Sequence, residues 1–283
     1  MTAARRAELI LVLITLIWGT TFVLIKTSLE YSSTFLFLAI RFFLATLFVY
    51  VWFRGQLKDI SPATWIAGII IGVFLSAGNF FQTAGLNFTT ASKSAFFTST
   101  TVVYTPMVAV FLAREKLRMS SILGVMVVSG GLFLLTSPQG QGFNIGDFLT
   151  IFCAMVFSFQ LVFVQMFSRK FNVQQLVYVE LLTNFVLSIP LIFIFDEVYF
   201  HLNWKLILSL FYLATVATGL VFFLQMKFQK DSSATKAAII YTLEPIFASS
   251  IAYFAVGETL NSVGIIGAGI IIAGILLSEL GRF

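Results

Sequence analysis

Long apolar runs separated by short polar segments account for nearly the whole chain. Ten runs stand out, at about 9–25, 34–53, 64–85, 94–113, 120–137, 147–167, 175–195, 204–226, 236–255 and 262–280. Each approaches the roughly 17–25 residues that a helix needs to cross a bilayer core. The segments between them leave almost nothing from which to build a soluble domain. The first run follows Arg5 and Arg6, as the apolar stretch of a signal peptide would. It leads into further runs and lacks a small-residue cleavage site, so it reads as a membrane helix. The expected fold is an all-α integral membrane protein with ten transmembrane helices.

Basic residues orient these runs, because Lys and Arg concentrate in cytoplasmic loops. With the N-terminus inside, thirteen of the 17 Lys and Arg fall in inner segments, among them Arg54, Lys58, Arg114, Lys116, Arg118, Arg169, Lys170, Lys227, Lys230 and Lys236. Three, Lys26, Lys93 and Lys205, fall outside, and Arg41 lies within the second run. The split predicts that both termini are cytoplasmic. It also absorbs the net charge of +5, which otherwise suggests a nucleic-acid partner, and none is expected.

Composition agrees. Of 283 residues 59% are apolar and 10% charged, against roughly 25% charged in an average soluble domain. One cysteine, Cys153, and one histidine, His201, exclude a disulfide framework and a thiolate or histidine metal cluster. No Gly-x4-Gly-Lys-Ser/Thr loop is present, so ATP hydrolysis by that device is excluded. No cofactor is expected. The partners are the bilayer and a small molecule, and the sequence does not set the oligomeric state.

The chain also resembles itself at one constant offset, the one that carries Phe80 onto Phe223. The same offset matches Gln82 with Gln225. It matches Ala91, Lys93 and Ala95 with Ala234, Lys236 and Ala238. Glu115 and Leu117 match Glu258 and Leu260, and Gly124 and Gly131 match Gly267 and Gly274. The N-terminal parts align only after a short gap. Two halves result, 1–143 and 144–283, each with five spans. An odd number places them in opposite orientations, the inverted repeat common among secondary transporters, with a site at the interface of the halves.

These residues resemble the drug/metabolite transporter superfamily, in particular its ten-span EamA branch. The resemblance rests on Trp18-Gly19, Arg41, Pro106 followed by Arg114-Glu115-Lys116-Leu117, Leu243-Glu244-Pro245 followed by Gly257-Glu258-Thr259-Leu260, and the glycine-spaced fifth and tenth spans. It implies alternating-access transport, often export, of small organic metabolites, and location in a bacterial inner membrane. One departure is that Pro106 does not align with Pro245, where Val102 stands, so the kinks of the two halves are expected at different depths.

Charges within spans are costly and tend to face a bundle interior or a wet cavity. Three stand out: Arg41, Glu180 and Glu244. With the gap introduced, Arg41 and Glu180 occupy corresponding places. They read either as a structural ion pair, or as an anion site at Arg41 with a proton carried by Glu180 or Glu244. Glu244, before Pro245, could equally serve backbone groups freed by the proline. Polar stripes at helical spacing add Ser76, Asn79, Gln82 and Thr83, then Thr98, Thr101, Tyr104 and Thr105. Glu180 shares a face with Thr183 and Asn184, and Tyr241 shares one with Glu244. Such residues act either as interhelical glue or as cavity lining. Gln160, Gln165 and Gln225 are weaker candidates. Trp18 is the aromatic residue singled out for stacking on a ligand. Lys93 and Lys236 open the fourth and ninth spans at opposite faces, where a cation opposes the helix dipole. They read as gates or as interfacial anchors.

The leading function is a secondary transporter of a small polar or zwitterionic metabolite such as an amino acid. Proton coupling, exchange and facilitated diffusion all fit. A second reading is an exchanger of a nucleoside-containing metabolite such as S-adenosylmethionine. A membrane-embedded enzyme is disfavoured, because the spans carry no histidine, no metal-ligand spacing and no Gly-x-Ser-x-Gly turn.

Overall fold

Helices begin where the polar segments supply caps. A computed structural model describes residues 3–116, 119–135, 144–256 and 262–280. Its elements are α1 (Ala3–Ser28), α2 (Thr34–Phe53), α3 (Pro62–Leu86), α4 (Ala91–Ser99), α5 (Thr101–Ala113), α6 (Met119–Leu135) and α7 (Ile145–Ser168). There follow α8 (Val173–Phe195), α9 (Trp204–Ala214), a π-helical turn (Thr215–Leu220), α10 (Val221–Gln229), α11 (Ala234–Tyr241), α12 (Glu244–Val256) and α13 (Ser262–Leu280). Ser61, Thr90, Asn144, Asn172, Asn203 and Ser233 each accept a hydrogen bond from a first-turn amide. Such caps satisfy amides the helix itself leaves without partners.

Eight helical segments are long and apolar enough to cross a membrane. Two of these are composite: α4 with α5, and α11 with α12. A third runs from α9 through the π turn to α10. Two shorter apolar helices, Met119–Leu134 and Ser262–Leu277, complete the set. The chain is an all-helical integral membrane protein. Among the described residues the β contact is a single bridge between Ser32 and Phe200.

The loops gather at two faces. At one, Ser33 N–H donates to Tyr199 O (3.0 Å), His201 N–H to Tyr31 O (2.7 Å), and Asn87 Nδ2 to Thr34 Oγ1 (2.9 Å). Asp196 Oδ2 there accepts from Phe35 and Leu36 N–H (both 2.9 Å), placing a carboxylate at the start of α2 where the helix dipole favours it. At the other face Gln175 Nε2 donates to Gln56 O (3.0 Å) and Arg169 Nε to Lys230 O (2.9 Å). The second face is the one rich in Lys and Arg.

The two broken spans correct the expectation about kinks. The fourth breaks at Thr100, between α4 and α5, and the ninth at Thr242–Leu243. Thr100 and Leu243 are related by the offset that carries Phe80 onto Phe223, so the breaks share one register despite the unmatched prolines. The cause in the fourth span is hydroxyl back-bonding. Thr100 Oγ1 donates to Phe97 O (2.6 Å) and Thr101 Oγ1 to Thr98 O (2.5 Å). Side chains that compete for helical carbonyls bend helices. Pro106 lies inside α5 without ending it. The 257–260 half of the second motif, with Leu117 of the first and the neighbouring Arg118, lies outside the described residues.

Small residues let the helices approach. Gly131 of α6 faces Gly267 O of α13, and Gly68 and Gly72 of α3 face Val179 and Thr183 of α8. A Cβ on Gly72 would stand 2.6 Å from Thr183 Cβ and 2.9 Å from Glu180 O. Gly72→Val is therefore expected to lower stability by about 1–3 kcal/mol, the usual cost of overpacking. Thermal unfolding in detergent measures it, and an unchanged midpoint would contradict this packing.

Candidate functional site

Polar residues of the broken spans meet those of their neighbours in the middle of the bundle. There lies a cavity of about 80 Å³, lined by Trp18, Thr21, Arg41, Leu75, Asn79, Gln82, Thr98, Thr101, Phe157, Gln160, Leu161, Phe222, Gln225, Tyr241 and Glu244. Ten residues singled out from sequence are among them: Trp18, Arg41, Asn79, Gln82, Thr98, Thr101, Gln160, Gln225, Tyr241 and Glu244. The breaks explain part of this gathering. Thr98 and Thr101 flank the break at Thr100, and Tyr241 and Glu244 flank the break at Thr242–Leu243.

The other candidates lie elsewhere, Ser76, Thr83, Thr105, Gln165 and Thr183 among them. Glu180 is wholly buried one layer behind the wall, where its Oε1 accepts from Gln160 Nε2 at 3.0 Å. Asn184, one turn further along α8, is buried and does not line the cavity, and neither amide atom has a hydrogen-bond partner. Tyr104 is half-buried on α5 and also outside the lining. The structural ion pair between Arg41 and Glu180 is not formed. Arg41 Nε instead donates to Thr218 Oγ1 at 3.0 Å, a bond between distant parts of the chain. Its guanidinium carbon also lies 5.5 Å from the Phe42 ring centroid, within cation–π range.

The cavity residues divide into satisfied and unsatisfied groups. Gln82 Nε2 donates to Thr98 Oγ1 at 3.1 Å, and Asn79 Nδ2 to Leu75 O at 2.9 Å. Arg41 Nη1 is buried and has no hydrogen-bond partner, while Tyr241 OH and the Gln225 amide, also buried, lie against each other without a hydrogen bond of ordinary geometry. Trp18 is fixed in the wall by Nε1 donating to Ala217 O at 3.2 Å. Its ring meets Tyr241 at 5.2 Å and Phe222 at 5.7 Å between centroids.

Lys93 and Lys236 both have acidic partners. Lys93 Nζ stands 2.7 Å from Asp147 Oδ2 at one face, and Lys236 Nζ 2.7 Å from Glu8 Oε1 at the other. Each carboxylate sits near the start of a neighbouring span, offsetting the unfavourable placement of the lysine. Asp147 is wholly buried and closes a capping box with Asn144, while Glu8 is 16% exposed.

Comparison with known proteins agrees with this geometry. The EamA-like transporter family matches residues 5–137 and again residues 144–280. The chain belongs to the EamA-like transporter family. It is a membrane transporter of the drug/metabolite transporter superfamily, and its relatives and family are transporters rather than enzymes. An uncharacterized transporter of Archaeoglobus fulgidus is 34% identical over 275 residues, covering 97% of this chain and 86% of the relative. A Salmonella typhimurium protein named "Probable amino-acid metabolite efflux pump" is 26% identical, covering 98% and 96%. A solved crystal structure shares the fold with a TM-score of 0.81, 18% identity, and coverage of 98% and 97%.

Sequence reasoning missed several lining residues of this EamA-family chain. Thr21 carried an available signal, since it stands to Gln160 as Arg41 stands to Glu180, at the same gapped offset. Thr218 carried none, because its role follows from a local π turn that no residue pattern marks. Leu75, Phe157, Leu161 and Phe222 are indistinguishable in sequence from lipid-facing or core residues.

Proposed function

We propose that this transporter moves a small zwitterionic metabolite, an amino acid or a close relative, by alternating access through the central cavity, with export as its direction. The observation that carries the reading is Arg41 and Glu244 in one cavity, with a buried Arg41 Nη1 that lacks a protein partner beside Tyr241 and Gln225, whose buried polar atoms face each other without a hydrogen bond of ordinary geometry. Buried polar groups are nearly always paired. A transported carboxylate and ammonium supply partners of the right sign, and Trp18, Phe157 and Phe222 offer aromatic faces to an apolar side chain. At about 80 Å³ the cavity is contracted relative to the roughly 300–1,000 Å³ of open ligand pockets. The name of the Salmonella typhimurium relative points to an amino-acid metabolite. Glu180, joined to the cavity through Gln160, is the candidate proton carrier.

The architecture we infer is ten spans in two inverted five-helix halves, 1–143 and 144–283, in a cell membrane with both termini cytoplasmic. The doubled family match supports it. So do the helix pairs: α3 packs on α7 as α10 on α1, α5 on α7 as α12 on α1, and α4 on α12 as α11 on α5. Each second pair is the first with the halves exchanged. Lys93–Asp147 and Lys236–Glu8 then stand as the two gates, outer and inner. The inner pair is the less buried, which favours loading from inside and hence export.

Thermal unfolding of the purified protein against amino acids, nucleosides, polyamines and quaternary amines tests the reading. A ligand that binds the native state raises its midpoint by mass action. Amino acids are expected to raise it with concentration and to cross the membrane of reconstituted liposomes. A rise with nucleosides alone, or amino-acid flux no faster than in empty liposomes, would overturn it.

A further inference from the structure

A second, larger pocket lies on the far side of α1 from the central cavity. It is a groove of about 610 Å³ between α1 and α9, near the face of the 29–33 and 196–203 loops. In size it falls within the range of open ligand pockets. Its chemistry repeats that of the cavity. Glu30 and Lys205 supply one charge of each sign, Tyr31 and Tyr212 supply phenols, and Thr20 and Ser209 supply hydroxyls. Neither charge has an ion-pair partner among the described residues. The groove continues the stripe of α1 that begins with the exposed Leu9, Leu13 and Leu16, and its mainly apolar wall of leucines carries hydroxyls at Thr20, Ser209 and Tyr212 and charges at its loop end.

A thin seam separates groove from cavity. Thr20 Oγ1 and Tyr212 OH share a hydrogen bond of 2.9 Å on the groove side, and Trp18 Nε1 bonds Ala217 O at 3.2 Å on the cavity side. Between Tyr212 and Phe222 the backbone forms the π turn Thr215–Leu220. Such turns are rare and frequently mark functional sites. The corresponding stretch of the first half, Gly72–Ala77, is regular α3, and Leu75 stands in the place of Thr218. The departure from symmetry therefore falls where Thr218 holds Arg41.

We infer that the groove is an outer site for the same zwitterionic cargo, and that the π turn is the seal between it and the central cavity, closed by the Arg41–Thr218 hydrogen bond. The inference rests on the transport reading above. An anionic group entering the cavity engages the free Nη1 of Arg41, and a two-pronged grip on the guanidinium also claims Nε. Thr218 then loses its donor, the turn loses its anchor, and the seam between α1 and span eight can part toward Glu30 and Lys205.

The test replaces the single cysteine by Cys153→Ala and introduces one reporter thiol at a time, Ser209→Cys in the groove, Leu161→Cys in the cavity or Ala217→Cys in the seam. The probe is an anionic, membrane-impermeant methanethiosulfonate added on the side of the 29–33 loop. The groove thiol is expected to react readily and the cavity thiol slowly. Thr218→Val should speed the cavity thiol roughly tenfold or more, since a bond to a charged group is lost. Thr218→Ser, which keeps the hydroxyl, should leave it unchanged, and Tyr212→Phe, which removes the other bar of the seam, should speed it. A mixture of L-amino acids should speed the seam thiol in the Thr218 protein and add little in Thr218→Val. A cavity thiol indifferent to Thr218→Val and Tyr212→Phe overturns the seal, as does an equal acceleration from the opposite side. If the cavity thiol is reached from the opposite side whatever stands at 218, the seal falls and the cavity reading survives. If it is reached from neither side in any background, both fall.

Discussion

Arg41→Met is expected to reduce amino-acid flux roughly 100-fold or more while leaving the protein as stable as the wild type or more so. The flux loss follows from the site. Arg41 is 4% exposed, and its Nη1 faces the cavity without a protein partner. Truncating one member of a buried charge pair costs about 2–5 kcal/mol, or roughly 30-fold to several thousand-fold in affinity. The stability expectation separates a cargo-binding arginine from a structural one. In the protein alone Arg41 has a hydroxyl and an aromatic ring for company, so its charge is poorly compensated. Replacing such a buried charge by an apolar side chain of similar size is often neutral or stabilising. Arg41→Lys should also fail in transport, because an ammonium cannot reproduce the planar two-pronged grip. Liposome flux and thermal unfolding of the same preparations decide the matter. Loss of stability together with flux would make Arg41 a structural residue.

Asp147→Ala should have the opposite signature, a large loss of stability. Asp147 is wholly buried at the start of α7 and gathers four interactions. Its Oδ2 pairs with Lys93 Nζ at 2.7 Å and accepts Asn144 N–H at 3.1 Å. Its Oδ1 accepts Thr89 Oγ1 at 2.6 Å, and its own N–H donates to Asn144 Oδ1 at 3.0 Å. The alanine variant keeps only the last of these and strands the Lys93 ammonium, which is 14% exposed. Removing one partner of a buried pair costs about 3–5 kcal/mol. The unfolding midpoint should fall steeply, and Lys93→Met added to Asp147→Ala should recover part of the loss by removing the stranded charge. The Lys236–Glu8 pair is more exposed on its acidic side, so Glu8→Ala should cost distinctly less. Equal losses at Asp147 and Glu8 would contradict the asymmetry read from their burial.

Much of this was legible in sequence because a bilayer constrains composition strongly. Hydrocarbon demands long apolar helices, charge bias orients them, and a duplicated half leaves matched residues at a fixed offset. The cost of burying polar groups then picks out Trp18, Arg41, Asn79, Gln82 and Glu244 as residues with a reason to be inside. Helical spacing assigns each to a face of its own helix but does not say which faces meet. Asn184 and Tyr104 satisfy the same spacing rule as Gln82 and Tyr241 and do not line the cavity. Glu180 shares the register of Arg41 and stands behind Gln160 instead of opposite the guanidinium. Thr218 could not be foreseen, because a π turn widens the helix locally and redirects a side chain without any sequence mark. The membrane helices, their charge bias and the internal repeat were thus written in the order of residues, since solvent and duplication dictate them. Which polar groups converge and which stay apart emerged only with the packed bundle. That outcome depends on helix rotation, on the breaks at Thr100 and Leu243, and on close approaches such as Gly72 to α8, each set by packing between distant segments.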